Sequence, residues 1–210
     1  MATIFEVIDL SRQIEDRMLW QDISFSLKAG DILALKGPSG SGKTVMLRTL
    51  AGLEPIQSGA ILYKSKAQND YEMPVYRSEI IYLQQRPSFA AKTVAESLKN
   101  PFKFKVHEDK KYDAKLVTKY LLALGRDLDF LSKEIANLSG GEEQIVALVR
   151  ALILEPQIIL LDEATASLDE ESSQNLEQLI LAYLNQKRAA IWVSHDQKQS
   201  ERISNKELSL

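Results

Sequence analysis

Gly37, Pro38, Ser39, Gly40, Ser41, Gly42, Lys43 and Thr44 fit the pattern G-x-x-x-x-G-K-[ST], set between the apolar run Ile32 to Leu35 and a stretch of helical apolar spacing. Glycines let successive backbone N–H groups turn toward one anion, and the helix start adds the positive end of its dipole. The Lys43 ammonium suits the β- and γ-phosphates, and the Thr44 hydroxyl suits Mg²⁺. The ligand that these residue types fit is a nucleoside triphosphate with its magnesium. A second element supplies carboxylates: the apolar run Ile158 to Leu161 ends in Asp162 and Glu163. A purely structural strand has no need of two adjacent acids at its end. Asp162 suits Mg²⁺, and Glu163, on the other side of the pleat, suits the orientation or deprotonation of a water attacking the γ-phosphate.

A third element, Leu138-Ser139-Gly140-Gly141-Glu142, opens another helix only 20 residues before those carboxylates, again with glycines that allow close approach to phosphate. With this element the sequence resembles the ATP-binding cassette (ABC) ATPases over nearly its whole length, with the motifs in the family's order. The resemblance implies a phosphate-loop α/β core of RecA type, an antiparallel β subdomain and an inserted helical subdomain. It implies ATP and Mg²⁺ as ligands and a head-to-tail homodimer formed on ATP binding. In that dimer Ser139, Gly140 and Gly141 of one copy close over the γ-phosphate held by the other's Gly37 to Thr44, and Asp169, after Ser167 and Leu168, faces the opposing subunit.

By the same resemblance Gln85, in a Q-x-P context, contacts Mg²⁺ and water and couples the site to a membrane partner, and His195, after Ser194, contacts the γ-phosphate. Two departures stand out. Glu142 replaces the family's commoner glutamine, which changes the charge of the helix start but leaves the serine and glycines. Arg12 lies where the family usually stacks an aromatic on adenine, so it either stacks on the base as a planar guanidinium or is an exposed strand-end charge. Trp20 is expected to pack in the core beneath Ile23 and Phe25.

Composition narrows the remaining classes. The 210 residues carry 26 Lys and Arg against 29 Asp and Glu, a net charge of −3, which lacks the one-signed field of a nucleic-acid binder. Cysteine is absent, which removes disulfides, thiolate chemistry and iron–sulfur ligation, and two histidines far apart in the chain make no zinc site. No segment approaches the roughly 18 apolar residues of a membrane span. If the chain serves a membrane, a separate polytopic permease crosses it. The expected location is cytoplasmic, peripheral on the inner face of the cell membrane.

The elements that must position these groups follow from periodicity. Ile4 to Ile8 and Ile23 to Leu27 alternate like half-buried strands, while Ile32 to Leu35, Ile158 to Leu161 and Ala190 to Val193 read as fully buried ones. Helical spacing covers Thr44 to Leu53, parts of 93–125, Gly141 to Leu154 and the stretch around Leu176 to Leu184. The charged run from His107 to Lys111 reads as a solvated surface. The order is α/β, helical, α/β, so residues 1–85 and 151–210 are expected to form the nucleotide-binding core and 86–150 a helical insertion. The middle segment also resembles the small FetA/YbbL-type ATPases, which implies metal export, chiefly of iron, through a separate membrane subunit. A soluble family member acting in assembly, repair or translation is the alternative reading. A generic phosphate-loop kinase or GTPase leaves Leu138 to Glu142 and His195 without a role.

Overall fold

The computed structural model describes residues 2–184 and 187–210. Period-two patterning builds the first sheet. β1 (Thr3–Ile14) and β2 (Arg17–Lys28) form an antiparallel hairpin, with Val7 opposite Phe25 and Ile14 opposite Arg17. Phe5, Val7, Leu10 and Leu27 are buried, whereas Ile8 and Asp9 face outward. β3 (Ile32–Lys36) runs into the phosphate loop and α1 (Lys43–Leu50) leaves it. β4 (Ser58–Tyr63) and the short β5 (Lys66–Ala67) complete a four-stranded antiparallel sheet in the order β2-β1-β4-β5.

Next come α2 (Met73–Glu79), β6 (Ile80–Leu83), α3 (Val94–Lys99), α4 (Ala114–Ala123), α5 (Gly140–Leu152) and β7 (Ile158–Asp162). The chain then forms α6 (Glu170–Leu184), β8 (Ala189–Val193), α7 (Gln197–Ile203) and β9 (Lys206–Ser209). The second sheet is five-stranded and parallel, ordered β6-β7-β8-β3-β9. Its central strands are apolar up to their C-terminal ends, where Lys36 and Asp162 stand, because both faces are covered. Ile159, Leu161, Ala190 and Trp192 pack toward α5 and α6, while Ile158, Leu160, Ala189, Ile191 and Val193 pack toward α1 and the first sheet. Each fully buried leucine or isoleucine here contributes about 1.5–3 kcal/mol of transfer free energy. Trp20 lies in the second of these cores with Ile23 and Phe25 against it.

Between β6 and β7 the chain is helical, but in shorter pieces than periodicity implies. 3₁₀ turns at Asn100–Lys103, Lys105–His107, Leu128–Ser132 and Ile135–Asn137 separate the three helices. The run from His107 to Lys111 is not simply solvated. His107 is buried, and Lys110 Nζ donates to the Leu154 carbonyl at the exit of α5. Mixed burial of this kind is invisible to charge counting, since long or planar polar side chains tuck their apolar bodies against neighbours.

Parallel strands place their C-terminal ends at one sheet edge, where ligands of α/β proteins gather. Register makes this concrete: Leu83 pairs with Leu161, Leu161 with Trp192 and Leu33 with Ile191. The segments that follow β6, β3, β7 and β8 therefore emerge side by side. They carry Gln85, the phosphate loop, Glu163 and His195.

Candidate active site

The phosphate loop is shaped by what crowds it. Gly42 has φ +93°, and a Cβ there would come within 2.9 Å of both Leu19 Cδ1 and Trp20 Nε1, so β2 leaves room only for glycine. Lys43 is buried at the start of α1 and donates to the carbonyls of Gly37 at 2.8 Å and Pro38 at 3.0 Å. The ammonium is thereby folded back over the loop, with one of its three N–H groups left for a ligand.

Asp162 ends β7 and is almost fully buried. Its Oδ2 accepts from Thr44 Oγ1 at 2.9 Å and from Tyr82 Oη at 2.8 Å. The sequence joins Thr44 to Asp162 through their shared suitability for Mg²⁺, and the fold puts them in contact. Tyr82 is a participant that motif reading misses. Burial, then the hydrogen bond to Asp162, pushes its phenol well above the ordinary tyrosine value, so it stays a donor.

Glu163 follows with φ +52°, unusual for a residue with a side chain, and its N–H donates to the Val193 carbonyl of the neighbouring strand. Its carboxylate is clasped on both sides. Gln85 Nε2 donates to Oε2 at 2.6 Å, and His195 Nε2 lies 2.6 Å from Oε1. The carboxylate is 16% exposed and the histidine 60%, so the acid is held in place by a group that itself faces solvent. Gln85 is thus on Glu163 rather than hydrogen-bonded to Thr44 or Asp162. A further unforeseen contact fixes it: Gln144 of α5 donates to the Gln85 carbonyl.

Other expected site residues lie apart from this cluster. Arg12 donates to the Pro55 carbonyl at 3.0 Å and pairs with Glu54 at 3.6 Å, tying β1 to the segment after α1. Its side chain is 16% exposed, so it is not the exposed strand-end charge. The β1–β2 hairpin reaches the phosphate loop through Arg17, whose Nη2 donates to the Gly40 carbonyl at 3.0 Å. Asp169 accepts from the N–H of Ser172 at 2.7 Å and from its hydroxyl at 3.1 Å, which starts α6 and holds the carboxyl below the usual aspartate range.

Ser139, Gly140 and Gly141 start α5 without a hydrogen bond to the phosphate loop among the described residues. Ser139 and Glu142 cap each other's backbone N–H groups, forming a capping box. A Cβ on Gly141 would lie 2.7 Å from the Ser167 carbonyl, so glycine here lets the segment after Glu163 press against the helix start. Lys133, 2.7 Å away, and the Ser139 N–H hold the Glu142 carboxyl below the usual glutamate value. A carboxyl lowered in the folded state stabilises above its unfolded value of 4.5 and loses that contribution as pH falls through the folded value. Glu142→Ala is expected to cost about 1 kcal/mol at pH 7. The difference in chemical denaturation should shrink as pH drops below 4.5.

These groups suit a magnesium-bound nucleoside triphosphate. Ser41 Oγ is buried in the loop with no hydrogen-bond partner, an orphan that a phosphate oxygen would satisfy. Thr44 and Asp162 already meet as an oxygen pair of the type Mg²⁺ takes, and Asp162 Oδ1 remains free of side-chain donors among the described residues.

The chain is similar to several known proteins. The chain is 32% identical to the "Probable iron export ATP-binding protein FetA" of Escherichia coli K12, over 88% of this chain and 81% of that one. It is 34% identical to the spermidine/putrescine import ATP-binding protein PotA of Spiroplasma citri, over 98% of this chain but 58% of PotA. The fold matches a bacterial Atm1-family ABC exporter solved with ATP bound, with a TM-score of 0.85 and 23% identity, over 99% of this chain and 37% of the exporter. The chain therefore spans little more than half of that importer and about a third of the exporter. The ABC transporter family profile matches residues 20–166, covering the phosphate loop, the second glycine-rich helix start and both carboxylates. On that match and the FetA likeness, the chain belongs to the ABC transporter family, as an ATP-binding subunit that hydrolyses ATP to power transport.

Proposed function

We propose that the chain hydrolyses MgATP within a head-to-tail homodimer and thereby drives a separate polytopic membrane subunit that exports a metal ion. The carrying observation is the Glu163 carboxylate, clasped by Gln85 and His195 beside Lys43, Thr44 and Asp162. Glu163 receives the proton of the attacking water, and its two clamps fix where that proton goes. Lys43 neutralises phosphate charge, and the loop N–H groups hold the phosphates in line with the water. Thr44 and Asp162 would hold Mg²⁺, which when bound draws off charge developing on the transferred phosphoryl group. Ser139, Gly140 and Gly141 make no hydrogen bond to their own phosphate loop, which agrees with their serving that of a second copy.

A groove of about 700 Å³ supports the membrane-partner reading. Leu53, Phe104 and Ala147 line it with Arg77 and Arg150, and one wall runs from Ile81 to Gln84 and on to Pro87. A partner seated there would lie one residue from the group that holds Glu163. Metal export is favoured by the likeness to FetA, a relative matched over most of both lengths.

Affinity capture of the tagged chain from detergent-solubilised membranes tests this, with Phe104→Glu alongside. The expected result is a stoichiometric polytopic protein captured by the unaltered chain and lost with Phe104→Glu, which moves metal out of the cytoplasmic side when reconstituted. A soluble complex with none of the chain in the membrane fraction overturns the transport reading. Transport in the opposite direction overturns export.

A further inference from the structure

A buried polar cluster behind the site joins the two segments that carry Glu163 and His195. Glu177, in α6, is 4% exposed, and such burial of a carboxylate demands partners. Arg202 Nε donates to its Oε2 at 2.8 Å and Arg202 Nη2 to its Oε1 at 2.7 Å, a bidentate pair. Gln199, 3% exposed, donates from Nε2 to Glu177 Oε1 at 2.8 Å. The same amide reaches Thr165: Nε2 lies 3.1 Å and Oε1 3.2 Å from Thr165 Oγ1.

The connectivity gives this cluster its meaning. Thr165 is two residues after Glu163, in a turn where Ala166 N–H donates to the Glu163 carbonyl. Gln199 sits in α7, whose N-cap Asp196 directly follows His195. His195 and Glu163 thus hang from segments that, among the described residues, share one further side-chain hydrogen-bonding link, between Thr165 and Gln199. Thr165 and Gln199 also line the 540 Å³ cavity that contains Glu163 and His195. Neither touches the carboxylate itself.

We propose that Gln199 is a positioning residue for hydrolysis, bridging Thr165 to the Glu177–Arg202 pair so that His195 is held at hydrogen-bonding distance from Glu163. Glu177 is the fixed point: it is buried and held by Arg202 through both carboxylate oxygens, and Gln199 transmits that position to the turn after Glu163. Loss of the amide frees α7 and the Thr165 turn to drift apart, and small displacements of an oriented base are costly to rate. The proposal rests on the reading of Glu163 as the base and His195 as its clamp.

Steady-state kinetics on the full chain, with its transport partner where capture supplies one, tests it. Gln199→Leu and Thr165→Val each remove hydrogen bonding at near-constant volume. Each is expected to lower kcat roughly tenfold with KM for ATP unchanged within twofold. Thr165→Ser, which keeps the hydroxyl, should restore the rate. A purely structural role would instead lower the melting temperature and leave the rate of the folded fraction alone. The decisive comparison is Gln199→Leu added to His195→Ala: without a clamp to position, the second change should cost nothing further. Multiplying losses in that double variant, or an unchanged kcat in both single variants, overturns the brace. Normal hydrolysis by Glu163→Gln overturns it together with the reading of the base, whereas lost hydrolysis there with unaffected Gln199 variants overturns the brace alone.

Discussion

Glu163→Gln is expected to lower the hydrolysis rate by about three orders of magnitude while leaving ATP binding and ATP-dependent pairing of two copies intact. Glutamine has the size of glutamate and can keep one of the two contacts, because its carbonyl accepts as Oε1 or Oε2 does from His195 or Gln85. The amide nitrogen then faces a donor, and no proton acceptor remains for the attacking water. General-base catalysis contributes about 10²–10⁴ in rate, so a loss near the middle of that range is the expected size. Single-turnover hydrolysis measures the chemical step, and size-exclusion chromatography with and without ATP measures pairing. A rate within tenfold of the unaltered chain would remove Glu163 from the chemistry, and failure to pair would show that the carboxylate serves assembly instead.

Lys43→Ala is expected to weaken ATP binding by about a hundredfold. The ammonium spends two N–H groups on the loop carbonyls of Gly37 and Pro38 and has the third for phosphate. A charge-assisted hydrogen bond to phosphate contributes about 1.5–3 kcal/mol. Its loss, with the loop ties gone, corresponds to about 2.7 kcal/mol at a hundredfold change in Kd. Titration with a fluorescent ATP analogue reads this directly. Melting temperature without nucleotide separates loop disorder from the lost phosphate contact: an unchanged melt with unchanged affinity would exclude Lys43 from both roles.

The phosphate loop was legible from sequence because its chemistry is local. Eight successive residues make their own turn, and the neighbouring apolar run and helix spacing place it between β3 and α1. Asp162 and Glu163 were legible for the same reason, adjacent carboxylates ending a strand that is apolar at every other position. Family resemblance added Gln85 and His195, which the fold then brings onto Glu163 from 78 and 32 residues away. Contacts of the β1–β2 hairpin were not legible in this way: the turn at Glu15 and Asp16 returns the chain, so Arg17 reaches Gly40 while Arg12 ties to Glu54.

By itself, then, the sequence determined the class of ligand, the strand-and-helix order and the identity of the chemical groups. Each of these depends on spacing within a few residues or on the hydrophobic period of one element. Only the tertiary structure decided that Tyr82 joins Thr44 on Asp162, that Gln144 anchors Gln85, that His107 turns inward, and that Glu177, Gln199 and Thr165 form one hydrogen-bonded cluster. Those hydrogen bonds join residues 22 to 118 positions apart. Burial makes each polar group there find a partner, and which partner it finds is set by the register of the parallel strands and the faces of the helices packed on them.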